Sequence, residues 1–272
     1  MTAAEMPEVI ASAQAEGWNP GLEDHLAFFK ADPNGFFVGE VDSQLVAFIS
    51  AVRYPGNYGF MGLYIVHPDY RGQGYGLALW NHAIDYLKNY TIGLDGVVAQ
   101  IDNYKKSGFE LAFMQMRWSV KALTFPENPL VKSVSEADCT RIIAYDQSVF
   151  GFDRTAFLTA WINMSNAQGF YTQENDTITG WALIRACGEG YKIGPLFADS
   201  QEVAHQLFQA CHSSVKDMGE VYIDMPETQC HYQEFVEQYG LTCQFKTARM
   251  YKNGNIPWDK KRIYGVTTFE LG

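Results

Sequence analysis

Three glycines alternate at positions 72, 74 and 76 in the stretch Arg71-Gly72-Gln73-Gly74-Tyr75-Gly76-Leu77, behind an apolar run and ahead of a helical pattern. Glycine adopts backbone angles closed to other residues and lets an anion approach the main chain closely. The first N–H groups of a helix have no partner inside it and point outward, and the helix dipole adds partial positive charge there. A strand, such a turn and a helix in that order form a cradle for pyrophosphate, to which Arg71 adds a charged donor. A tight strand-to-helix turn with no ligand would use the same glycines. Two other cradles do not fit. A P-loop needs Gly-Lys-Ser/Thr after its glycines. The dinucleotide fingerprint needs the G-x-G-x-x-G spacing and an acidic residue about 20 positions on, closing a second strand.

The elements around this turn follow from periodicity. Helices are expected over Pro7 to Glu16 and Leu22 to Lys30, then strands "FFVGEV" and "LVAFISAVRY" on either side of the tight link Asp42-Ser43-Gln44, and a third, "GFMGLYIV". The helix after the glycines runs from about Gly74 to Asn89. A strand "GVVAQI", a short helix or turn "NYKKSGF" and a strand "LAFMQMRWSV" complete the first half. "KALTFPENPLVKS" reads as a linker. A second series then repeats the order of elements. It holds strands "LVKSV", "GFYTQE", "TITGWALIRAC", "YKIGPLFA", "EVYIDMP" and "CQFKTARMYK", with helices over "SEADCTRIIAYDQSVF", "RTAFLTAWINM", "DSQEVAHQLFQACHSSVKDM" and "HYQEFVEQYGL". Ser135 with Asp138 has capping-box spacing, and Asp199 is the expected cap of the third helix. The fold class is therefore α/β, with a mixed α+β sheet, in two tandem domains over 1–122 and 130–272.

The totals set limits. With 272 residues, 47% of them hydrophobic, the chain can bury sizeable cores. The net charge of −11 argues against nucleic acid as a partner, which would demand a basic face, and mildly favours a cationic one. No apolar run is long enough for a membrane span, and the acidic, polar first residues do not read as a secretory signal. A soluble, cytoplasmic protein is expected. The five cysteines, all between 139 and 243, form no CxxC pair and suggest neither disulfides nor a metal site.

The segment "IVHPDYRGQGYGLALWNHAIDYL" resembles the signature of the GNAT superfamily of acyl-CoA-dependent N-acetyltransferases, and "NYKKSGF" resembles that family's later Tyr-x-x-x-Gly-Phe segment. The resemblance covers roughly residues 5 to 120. The second half, with "YDQSVFGFDRTAFL" and "IGPLFADS", is similar to the C-terminal domain of a subgroup carrying two such domains. The resemblance implies acetyl-CoA as cofactor. Its pantetheine arm would lie along Tyr64, Ile65 and Val66, and its pyrophosphate on the amides from Arg71 through Gly72, Gln73, Gly74, Tyr75 and Gly76 to Leu77. Gln100 is a further cofactor contact, and Tyr104 the general acid that returns a proton to the departing thiolate. Alternatively, Tyr104 packs under a turn.

Many relatives place a basic glutamate on the strand before the cradle, but "FMGLYIVH" has no carboxylate. Candidates for the base are Glu40, Asp42, His67 and, from the second half, Asp146; a surface role for His67 and an ion pair for Asp146 are the structural alternatives. Relatives also begin with a strand, whereas this chain opens on a helix. In the second half "DSQEVA" replaces the glycine cradle, so that half should bind no CoA and should wall the substrate cleft. The expected activity is direct transfer of an acetyl group to a primary amine, on a small molecule or a lysine-like side chain. The alternative is a non-catalytic acyl-CoA sensor or interaction module.

Overall fold

Left-handed turn residues set up the first hairpin. β1 (Phe36–Val41) and β2 (Gln44–Tyr54) are joined through Asp42 and Ser43, whose φ angles of 49° and 62° match the right-handed twist of an antiparallel pair. The chain arrives there through α1 (Met6–Ala15) and α2 (Asp24–Ala31), with no strand before them. It continues through β3 (Tyr58–Val66), α3 (Tyr75–Tyr86), β4 (Thr91–Val97), α4 (Ile101–Lys106) and β5 (Glu110–Lys121). The second half holds β6 (Val131–Ser133), α5 (Cys139–Phe150), α6 (Thr155–Ile162), β7 (Ala167–Glu174), β8 (Thr177–Ala186), β9 (Tyr191–Ala198) and α7 (Gln201–Ser213). After these come β10 (Glu220–Pro226), α8 (Tyr232–Tyr239), β11 (Thr242–Lys252) and β12 (Ile263–Gly265). The computed structural model describes residues 1–215, 219–256 and 259–272; the last three residues of the helix expected to reach Met218 lie outside these.

Three expectations need correcting. The strand placed at "GVVAQI" lies earlier, at β4, and Val98–Gln100 winds into a 3-10 turn leading to α4. Its apolar pattern is diluted by glycines that make room for rings: a Cβ on Gly93 would stand 2.6 Å from the Tyr58 hydroxyl, and one on Gly96 would overlap the Tyr104 ring. α3 stops at Tyr86, short of Asn89. The cap of α7 is Ser200, whose Oγ accepts from the Val203 amide at 3.3 Å, while Asp199 pairs with Arg262 at 2.7 Å. Ser135 and Asp138 do form a capping box, ahead of the turn that feeds α5.

The strands of the described residues join one mixed sheet in the order β1-β2-β3-β4-β11-β5-β10-β9-β8-β7-β6, with β12 on β9. β11, from the second half, lies between β4 and β5; β5, from the first, lies between β11 and β10. Each half thus lends a strand to the other. Two parallel pairs, β3 with β4 and β9 with β10, are bridged by α3 and α7 in turn, the same strand-helix-strand unit in each half. The main core crosses the halves, gathering Phe28, Val52 and Tyr58 with Trp161, Trp181, Phe197 and Leu271. The Phe28 ring stacks on Trp161 with centroids 6.1 Å apart, so the second half covers α2.

Three buried arginine–aspartate pairs also cross between the halves. Arg117 on β5 holds Asp224 on β10 at 2.7 and 2.8 Å, Arg185 on β8 holds Asp24 on α2 at 2.6 and 3.1 Å, and Arg249 on β11 holds Asp95 on β4 at 2.7 and 2.5 Å. Removing one partner of such a pair leaves a buried charge uncompensated, at about 3–5 kcal/mol.

Candidate active site

β3 and β4 pair in parallel over only four positions, Tyr58 with Thr91 to Met61 with Leu94. Beyond Met61 they part. The cause lies on the other side of β3, where its register with β2 slips: Phe48 faces Ile65 but Ser50 faces Gly62, so Leu63 and Tyr64 oppose the single residue Ile49. Leu63 takes a left-handed φ of 49° in this bulge. A bulge bends its strand and re-aims the residues beyond it. The gap opens a cavity of about 460 Å³. Gly62 to Val66 line one wall and Leu94 to Val97 the other, and Trp80, Gln100, Tyr104, Trp18, Arg117, Phe245, Phe269 and Glu270 also line it.

The head of α3 adjoins this gap through Arg71, which also lines it. Gly72 and Gly74 have φ of 76° and 89°, and among the described residues no atom outside their own chain neighbours lies within 4 Å of where a Cβ would stand on either. These two positions require glycine for their backbone shape and leave the main chain open to an anion, so the loop fits the pyrophosphate expected there. Gly76 serves differently. It is buried, and a Cβ there would come within 2.6 Å of the Tyr64 hydroxyl and 2.7 Å of Val66 Cγ2, so it allows α3 to pack on the splayed strand. Arg71 braces the loop: its Nε donates to the Val66 carbonyl at 2.9 Å and its guanidinium pairs with Glu16. Gln73 donates to the Asp69 carbonyl at 3.0 Å, the Tyr75 ring meets Tyr70 edge-on, and Leu77 is exposed.

Tyr104 stands on α4 with its ring stacked on Trp80, centroids 5.5 Å apart, in the hollow that Gly96 leaves. Burial pushes its hydroxyl up to about 12, aided by Tyr64 and partly offset by a backbone hydrogen bond from Val97. The group is therefore an intact O–H donor throughout the neutral range. Gln100 sits on the rim, its Oε1 accepting from Asn103 at 2.6 Å.

The structure does not bring the expected bases into this cavity. Glu40 and Asp42 lie away from it at the β1–β2 turn, and His67 lies outside, exposed, 3.8 Å from Asp69. Asp146 is fully buried and holds Arg154 at 2.7 Å through both oxygens, with Trp181 Nε1 donating at 3.2 Å and Arg154 reaching Thr267 at 2.8 Å. It is a structural clamp. Among the described residues, three carboxylates do line the cavity. Glu16 is held by Arg71 and Asp95 by Arg249. Glu270 is buried, and among the described residues its carboxylate has no hydrogen-bond partner. Burial raises its pKa, against the pull of Lys192 and Arg117. In the sequence Glu270 stands out only as a lone carboxylate in "VTTFELG".

Residues 263–272 explain how it arrives there. In the second half, β9 and β10 also part after three pairs, at Ile193 and Ile223. β12 occupies that gap, pairing with β9 at Phe197 and Leu196, and Val266 donates to the Asp224 carbonyl at 2.8 Å. The segment then crosses to the first half. Phe269 and Glu270 face its cavity, and the Leu271 carbonyl accepts from Tyr54 at 2.9 Å.

Comparisons with known proteins agree with this architecture. The sequence model of the Acetyltransferase (GNAT) family matches residues 4–109, and that of the Acetyltransferase (GNAT) domain matches residues 142–265. Holothin acyltransferase from Pseudoalteromonas sp. (strain SANK 73390) is 32% identical over 263 residues, covering 96% of this chain and 89% of that protein. The uncharacterized N-acetyltransferase YitH of Bacillus subtilis (strain 168) is 22% identical over 94% of this chain and 91% of its own. Among solved structures, a protein from Pyrococcus horikoshii provisionally assigned as an acetyltransferase superposes with a TM-score of 0.84 at 20% identity, over all of this chain and 94% of its own. A tandem GNAT protein from the clavulanic acid biosynthesis pathway superposes at 0.63 with 12% identity, over 94% and 96%. With a splayed strand pair and a glycine-headed helix in its first half and a matched domain in each, the chain belongs to the GNAT family of N-acetyltransferases.

Proposed function

We propose that the protein transfers an acetyl group from acetyl-CoA to a primary amine by direct attack. One observation carries this reading: the gap between β3 and β4 opens beside the glycine turn at the head of α3, where space is open around Gly72 and Gly74. Pantetheine bound along Tyr64, Ile65 and Val66, with pyrophosphate on residues 71–77, would present a thioester near the Leu63 bulge, where backbone groups can polarise its carbonyl. Gln100 would add a contact at the rim, and Tyr104 would return a proton to the leaving sulfur. Holding amine and thioester together in one cavity supplies much of the rate.

Residues 1–122 would hold the cofactor. Residues 130–272 would bind no CoA, because β12 fills the corresponding gap and Ser200 caps the corresponding helix. The acceptor end combines Trp18, Phe245 and Phe269 with Glu270, a setting for an amine with an apolar body. The test is a thermal shift with acetyl-CoA, followed by release of free thiol across phenethylamine, tryptamine, spermidine, Nα-acetyl-lysine amide and holothin, the last chosen from the relative's name. Stabilisation together with thiol release from at least one amine supports the reading. Stabilisation without turnover would identify an acyl-CoA sensor, and absence of both would refute it.

A further inference from the structure

We propose that Glu270, carried into the first-half cavity by the segment that fills the second-half gap, is the group that receives the acceptor's ammonium and takes its proton. The inference rests on the acyl-transfer reading above and names a residue that it leaves open.

Four observations converge. Glu270 lines the same cavity as the β3–β4 gap and Tyr104. Its main chain lies against Gly62, beside the bulge at Leu63 where the thioester would sit: a Cβ on Gly62 would overlap the Glu270 carbonyl. The other two cavity carboxylates are each paired with an arginine, whereas among the described residues Glu270 has no hydrogen-bond partner. The elements packed around it supply Lys192 from β9, Arg117 from β5, Asp224 from β10 and Asp24 from α2. Of these, Arg117 is committed to Asp224, Asp24 to Arg185 and the Lys192 ammonium to the Asn19 carbonyl at 2.7 Å. Lys192 does not line the cavity, which excludes it as the base.

The protons balance. The ammonium gives one proton to a Glu270 oxygen, and the freed lone pair forms the C–N bond at the thioester carbonyl carbon. The C–S bond breaks with its electron pair on sulfur, and Tyr104 gives sulfur its hydroxyl proton. The second proton leaves nitrogen as the amide forms and returns to the Tyr104 oxygen. Glu270 releases its own to solvent, so one proton is lost overall. A buried carboxylate with a raised pKa is matched to this task, since it accepts a proton more readily than an exposed one. The second half thereby acts on the reaction: its gap is closed by the strand that aims the base.

The experiment compares wild type with Glu270→Gln and Glu270→Asp, using the amine of the panel with the fastest turnover. Glu270→Gln should keep the acetyl-CoA thermal shift, lower kcat/KM about 100-fold at pH 7, and make kcat/KM climb about tenfold per pH unit as free amine forms in solution. Wild type should instead plateau above an acid limb. Glu270→Asp, which keeps the charge one methylene further back, should fall between them. Titration of the same amine into protein saturated with free CoA reads binding without turnover, and Glu270→Gln should weaken it at least tenfold. A kcat/KM within threefold of wild type with the acid limb retained, or amine binding unchanged, overturns the proposal. If wild type turns over none of the amines, the acyl-transfer reading fails instead.

Discussion

The main chain of Glu270 rests directly on Gly62, a residue more than 200 positions earlier in sequence. The strand that widens the cofactor gap and the segment that carries the acidic side chain are therefore one packed unit. Gly62→Ala should push them apart. An overpacking cost of about 1–3 kcal/mol is expected, read as a lower Tm, together with a loss in kcat larger than the loss in acetyl-CoA affinity. A Tm and kcat equal to wild type would show that the contact is slack.

The two glycines at the head of α3 should fail in different ways. Gly74→Val has open space around its side chain but an unfavourable φ, and its bulk faces the anion's approach. Acetyl-CoA affinity should fall at least tenfold while Tm drops by only a few degrees. Gly76→Val has no space beside Tyr64 and Val66, so its Tm should fall further. Calorimetric titration beside thermal melts separates the two, and the same profile for both would contradict the assignment.

For Tyr104→Phe, kcat should decrease about 10- to 100-fold with the acetyl-CoA thermal shift preserved. The hydroxyl titrates near 12, so no basic limb in the neutral range should be traceable to it. Normal turnover would mean that water protonates the sulfur.

Asp224→Asn leaves Arg117 buried with half its partner gone and should destabilise by about 3–5 kcal/mol. Arg117→Met combined with Asp224→Leu should recover most of that in urea melts. If the double variant is no better than the single, the pair's contribution lies in its hydrogen bonds, including the one from Arg117 to the Trp18 carbonyl.

Acid should weaken the protein in part through His212. This imidazole is buried on α7, accepts from the Leu123 amide at 3.2 Å, and is pushed by burial down to about 4. Unfolding lets it return to about 6.5, so the unfolded chain binds the extra proton. The contribution is fully present above pH 6.5 and is lost as pH falls toward 4, up to about 3 kcal/mol. His212→Asn, which can still accept from Leu123, should show a flatter fall in Tm between pH 7 and pH 4.5. An unchanged slope would place the titration elsewhere.

What the sequence disclosed divides along one physical line. The head of α3, the cap at Ser135 and the hairpin at Asp42–Ser43 are local: their residue types are dictated by backbone angles within a few positions. The true position of β4 is hidden because Gly93 and Gly96 surrender their side-chain volume to rings from other elements, erasing the strand pattern. The interleaving of β5 and β11, the tail lodged beside β9 and the placement of Glu270 depend on pairings between residues far apart in the chain, for which a strand's own composition carries no address. The sequence leaves Asp146 open as a base or an ion-pair partner; the geometry gives the ion pair.

The interleaved strands also govern how such a molecule can come into being. As the first half leaves the ribosome, β4 and β5 have no neighbour between them until β11 has been made, more than a hundred residues later. Nascent chains must therefore hold two unsatisfied edges apart from one another and from other chains. An expressed fragment comprising either half alone would present those same edges to solvent and should self-associate. Such lending of strands makes the two halves one unit, in which neither can be removed without exposing the other.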